Sequence, residues 1–138
     1  MIEAAMVIGL DGEQVLYRHL PPNRSAGGIP DSGVLWRVYQ ENKLTMAGGA
    51  HSHPGRGWPE PSWEDVTTNE VVEFCLGRRY KWWITSMDRL VVVEWEGPGK
   101  HKYRVTRLSE EPGWVQELRR LSQDEVIRPE SDGKESVS

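Results

Sequence analysis

The chain has 138 residues, with 17 Lys and Arg against 21 Asp and Glu, for a formal net charge of −4. That length supports one domain around one core, and the acidic balance argues against a nucleic-acid partner. No apolar run reaches the ~18–20 residues of a membrane span, no signal-peptide pattern opens the chain, and the lone cysteine, Cys75, excludes an internal disulfide; the expectation is a soluble, cytoplasmic protein with no membrane partner.

The elements are read in chain order. Glu3 precedes an apolar strand, Ala4–Leu10; the turn Asp11-Gly12 and a second strand, Gln14–Leu20, complete a hairpin signal. A long loop, Leu20–Pro30, follows, in which Arg24 and Ser25 are read first as plain surface and second as substrate contacts. A helix is expected over Val34–Glu41, then a buried strand, Leu44–Ala50, that leads into His51-Ser52-His53. Pro54 ends that strand because it has no N–H for a ladder, and Gly55–Pro61 is turn chemistry. Ser62 caps a helix that runs to Leu76 and stops at Gly77; Val66, Val72 and Leu76 line one face, Phe74 and Cys75 flank it, and Cys75 is expected in the core.

A strand from Trp82 to near Met87 and another over Arg89–Trp95 come next. In the strand Lys100–Leu108, Lys100, Lys102, Arg104 and Arg107 read first as a solvated sheet face and second as a phosphate-binding surface. The last helix spans Pro112–Leu121, and the polar stretch 123–138 cannot bury enough apolar surface to stay ordered without a partner, which puts the domain at 1–122. Seven tryptophans against one phenylalanine belong mostly in the core. Trp58 and Trp63 differ because they flank the histidine segment; Trp58 either walls a substrate groove or anchors its loop. His19 and His101 lie on expected strands without ligand spacing and read as surface or pairing residues. The order β, β, α, β, α, β, β, β, α gives an α/β sandwich with a mixed, largely antiparallel central sheet flanked by helices.

The chemistry is concentrated between His51 and Asp65. Side chains two apart on a strand share a face, so His51 and His53 can address one ion. A carboxylate in the first turn of the following helix, Asp65, can meet them there. Two imidazoles and a carboxylate with a fourth position open are the donor set of a catalytic zinc site, and in principle would also accept Fe, Mn, Co or Ni. Taken alone, Ser62-x-x-Asp65 is a capping pattern and H-x-H a pair of strand histidines; the joint pattern is much rarer.

His51-Ser-His-Pro54, a loop, and Ser62-Trp-Glu-Asp65 resemble the JAMM motif of the MPN+ (JAB) zinc metallopeptidases. The loop before Ser62 is one residue longer than in the common motif. The resemblance implies a JAMM/MPN-like sandwich over residues 1 to about 108, with Zn²⁺ held by His51, His53 and Asp65. It also implies Ser62 at the oxyanion, a zinc-bound water as nucleophile and Glu3 as general base, with Glu41, Glu70 and Glu73 as other candidates for the base. The implied reaction is hydrolysis of a peptide or isopeptide bond, and the implied partner is a protein or peptide substrate, a ubiquitin-like tail among them. Membership of a homo-oligomer, a larger assembly or a virion stays open. The other class the resemblance allows is an MPN-type structural or assembly module whose site is vestigial or holds metal only.

Overall fold

The computed structural model describes residues 3–21 and 33–127. It shows a mixed α/β fold: β1 (Ala5–Gly9), β2 (Val15–His19), α1 (Gly33–Glu41), β3 (Met46–Ser52), α2 (Trp63–Leu76), β4 (Lys81–Thr85), β5 (Leu90–Trp95), β6 (Tyr103–Leu108) and α3 (Trp114–Ile127). The strands form one sheet in the order β2-β1-β3-β4-β5-β6. β3 and β4 pair in parallel and every other neighbouring pair is antiparallel. The parallel pair follows from its connection, because α2 carries the chain back along the sheet before β4 begins, whereas β1–β2, β4–β5 and β5–β6 are joined by turns that reverse direction.

Each face of the sheet carries a core. On one, Met6, Ile8, Ala50, Trp83, Leu90 and Val92 pack against Trp114, Val115 and Leu118 of α3. On the other, Val7, Trp82, Ile84, Val91 and Val93 meet Val72 and Leu76 of α2, with Leu35, Trp36, Val38 and Tyr39 of α1 alongside. Neighbours such as Trp82 and Trp83 serve opposite cores, as a period of two requires. Burying a side chain such as Leu118 completely is worth roughly 1.5–3 kcal/mol.

The alternation is reset once in β3. Met46 joins the α2 core while Ala47 packs on the α3 core, and the β1–β3 register shifts between Ile8 and Gly9. At Gly48 the backbones of β3 and β4 approach so closely that a Cβ would collide with the Lys81 carbonyl oxygen. The reset decides which way the histidines face.

Several expectations need correction at their edges. The third strand begins at Met46 and includes His51, whereas Leu44 is exposed in the turn after α1. The sixth strand begins at Tyr103, which leaves His101 in the preceding turn. α3 continues past Leu121 to Ile127, so the first residues of the polar stretch are helical. Cys75 is exposed, not in the core. The buried stripe of α2 is Asn69, Val72, Glu73 and Leu76, and Cys75 and Phe74 turn outward from it. The run Val71-Val-Glu-Phe-Cys-Leu76 is too uniformly apolar for periodicity to show which side is buried. His19 is buried, with its ring 5.9 Å from that of Tyr17. Arg24, Ser25 and the stretch 128–138 lie outside the described residues. No helix among the described residues is long and apolar enough to cross a membrane.

Candidate metal centre

β3 and β4 run parallel and end together, and the candidate site sits at that end. His51 is the next-to-last residue of β3 and His53 lies just beyond it. In register, Ala5 is opposite His51, and Val7, two residues along β1 on the same face, belongs to the α2 core. The histidines therefore face the side of the sheet that α2 covers.

α2 begins there through a capping box. The Asp65 N–H donates to Ser62 Oγ at 3.0 Å, and the Ser62 N–H donates to Asp65 Oδ2 at 2.8 Å. The box fixes the carboxylate in the first turn, where the open N–H groups of the helix favour negative charge. The cap also positions a donor: the interaction that starts the helix holds Asp65 against the histidines. Asp65 Oδ1 lies 3.4 Å from His51 Nε2, Asp65 Oδ2 lies 3.2 Å from His53 Nε2, and the two imidazole nitrogens are 3.1 Å apart. Donor atoms on a tetrahedron with bonds of about 2.0–2.1 Å stand about 3.3 Å from each other, so the spacing and the N, N, O donor set both fit zinc. Among the described residues this trio is the group arranged to hold a metal ion.

Glu3 is brought to the same place. Two residues before Ala5, it falls on the same face and level with His53. Its segment is fastened to β3 between the two histidines. The Ser52 N–H donates to the Ala4 carbonyl at 3.0 Å, and the Ala4 N–H donates to Ser52 Oγ at 2.9 Å. Ser52 Oγ also pairs with Ser122 Oγ of α3 at 2.5 Å. The residue between two ligands of an H-x-H pair must point to the opposite face. That signal was available in the sequence, but the buried partner on α3 was not.

The charges separate the two carboxylates. Burial works to raise the Asp65 pKa, but contacts with His51 and His53 and the Ser62 N–H overwhelm it, holding the carboxyl well below the usual range. Burial raises the Glu3 pKa and wins, although His51 and His53 pull against it. For His53, burial lowers the pKa, and the Asp65 carboxylate, helped by Glu3, more than reverses that. One carboxylate is held ionised and its neighbour is made more basic, the split expected of a ligand beside a general base.

The other candidate bases are engaged elsewhere. Glu73 is buried and accepts from the Tyr80 N–H (3.0 Å), Trp82 Nε1 (2.8 Å), the Tyr103 hydroxyl (2.5 Å) and Arg79 (2.9 Å). Glu70 pairs with His101 Nδ1 and Arg79, and Glu41 is exposed at the end of α1. Trp63 is exposed, edge-on to His101 at 4.7 Å. Trp58 is partly buried against the α2 core, which favours the anchoring role for it. Its loop is tied to the β4–β5 turn through Met87 N–H to the Gly55 carbonyl (3.0 Å), Gly57 N–H to Asp88 Oδ1 (2.8 Å) and Ser86 Oγ to the Gly57 carbonyl (2.6 Å).

No model of a known protein family matches the sequence, and no curated protein matches it.

Proposed function

We propose that this protein is a zinc-dependent metallopeptidase of JAMM type, built on a JAMM/MPN-like α/β sandwich, that hydrolyses a peptide or isopeptide bond. The observation that carries the reading is the convergence of His51, His53 and Asp65 to mutual spacings of 3.1–3.4 Å, with a basic carboxylate, Glu3, alongside. His51, His53 and Asp65 would hold the ion. A zinc ion so held supplies Lewis acidity and brings the pKa of a water near 7.

The chain's own residues do the rest. Glu3 takes a proton from the attacking water and passes it to the leaving amine. The Ser62 hydroxyl accepts from the Asp65 N–H, which leaves its own hydrogen free to donate to the carbonyl oxygen as negative charge gathers there. Ser62 is exposed, so a substrate can reach it.

A second reading, an MPN-type assembly module that holds metal without turning over, is favoured by one observation. Trp63, Val71 and Phe74 expose 66%, 58% and 85% of their surface along α2, an apolar strip suited to a protein neighbour. Elemental mass spectrometry on protein purified without chelator or His-tag, beside His53→Ala, tests the site on which both readings stand. About one zinc per chain, lost in the variant, is expected. No metal in the wild type after zinc is supplied would remove the enzyme reading.

A further inference from the structure

The loop between the histidines and α2 does more than connect them. It leaves β3, reaches over the β4–β5 turn and returns to start α2 beside the candidate metal centre. At its far point two guanidinium groups lie on the Trp58 ring, with Cζ of Arg89 at 5.2 Å and Cζ of Arg107 at 4.8 Å from the centroid. Most arginines on this surface are used up by carboxylates. Arg79 also sits over an indole, that of Trp95, yet pairs with Glu73 and Glu70; Arg104 pairs with Glu94 and Glu96, and Arg56 with Asp88. Arg89 and Arg107 have no carboxylate within ion-pair distance among the described residues. Asp88, next to Arg89, is committed to the Gly57 N–H, the Ser86 hydroxyl and Arg56.

A guanidinium over an aromatic ring is held there by cation–π attraction and still has N–H groups to donate to a bidentate acceptor. The ring is itself held by the tethered loop, so both cations are gathered at one place before any ligand arrives.

Register gives the position relative to the metal ligands. His51, Ile84, Val91 and Arg107 are successive cross-strand partners, so they form one row on the face α2 covers. Three strand spacings of about 4.8 Å separate the backbones of His51 and Arg107 by about 14 Å. Ile84 and Val91 are buried between them, so a bound chain bridges the two positions outside that core; at about 3.3 Å per residue it needs about four extended residues to do so.

We propose that Arg89 and Arg107, presented by Trp58, form a subsite for a carboxylate on an extended peptide substrate, three to five residues from the bond cleaved. The assignment of that carboxylate to a substrate rests on the peptidase reading above; the binding site itself does not.

The test uses the whole protein, zinc-loaded, and three pools of acetylated octapeptides: one amidated with a fixed Glu, one amidated with Gln in its place, and the Gln pool with a free C-terminus. The Trp58 indole N–H, assigned in the NMR spectrum through Trp58→Phe, reports binding. Mass spectrometry of the digests reports cleavage. The indole signals of Trp83 and Trp114, in the opposite core, check the fold of each variant. The Glu pool is expected to move the Trp58 signal and to be cut about tenfold faster than the amidated Gln pool, at bonds three to five residues from Glu. Both effects should vanish in Arg89→Gln/Arg107→Gln. A response to the free-terminus pool instead supports the subsite and assigns it to a chain end. Equal responses to all three pools, or a Trp58 response that survives the double variant, overturns the subsite. A Glu-specific response with no pool cleaved keeps the carboxylate site and removes the peptidase; cleavage without preference does the reverse.

Discussion

Glu3 and Asp65 show how far a few neighbours can drive two identical functional groups apart. The sequence placed Glu3 only by counting back from a strand; the pairing of Ala5 with His51 brings it to the histidines. Glu3→Gln should keep the metal, because the three ligands are untouched, and should lower turnover about 10²–10⁴-fold. Metal content and hydrolysis rate measured on one preparation check this. Loss of both would make Glu3 a structural residue.

His53 gives a pH prediction with opposite signs for the two states of the site. Its pKa is raised in the folded, metal-free chain, so the Asp65 contact adds stability that is fully present below about 6.5, the ordinary histidine value, and is lost as pH rises through the raised pKa. Glu3, also raised, acts in the same direction. Zinc needs the neutral imidazole and competes with that proton. Between pH 8 and pH 6 the melting temperature of the metal-free protein should rise while zinc affinity, measured by chelator competition, falls. If the two move together, the proton and the metal do not share the site.

At the scale of elements, α2 is fastened at both ends by carboxylates with different duties. At its start, Ser62 is both helix cap and proposed oxyanion donor, and glycine separates the roles because it caps nearly as well as serine. Ser62→Gly should shift the melting temperature little and cost roughly 10²–10³ in turnover. A large stability loss with proportionate activity would reduce Ser62 to a cap. At its end, Glu73 gathers Tyr80, Trp82, Tyr103 and Arg79 from the next turn, β4 and β6. Glu73→Ala leaves those donors buried or unpaired and should cost about 3–5 kcal/mol in urea unfolding.

The helix itself was readable from its cap and its terminal glycine, and the carboxylate that meets the histidines from the spacing. The duty of Glu73 was not, because its partners lie 6 to 30 residues downstream and meet it only once the sheet has formed. Cys75 was misplaced for the related reason that a short apolar run carries no mark of which side will be covered.

Over the whole molecule, the order of all nine elements in the described residues follows the pattern of turns and apolar runs; most connections are marked by Gly or Pro, and those at 42–45 and 86–89 by short polar breaks between apolar runs. The strand order is different information. Nothing local says that β3 lies between β1 and β4, yet that arrangement puts Glu3 beside His53 and aligns His51 with Arg107. If zinc binds the folded chain as proposed, at free zinc about 100 times its dissociation constant the protein should gain about 2.7 kcal/mol, read as a rise in melting temperature that EDTA reverses. No such rise would leave the trio a capping arrangement only.

The pairing of Ala5 with His51 also divides the site into two inheritances. All three candidate ligands come from one continuous stretch of 15 residues, His51 to Asp65, held by β3 and α2, whereas the proposed base is supplied by the segment leading into β1. Under the proposed function, removing Glu3 while leaving residues 51–65 intact would separate the two: the protein would load zinc and hold its target without cutting it.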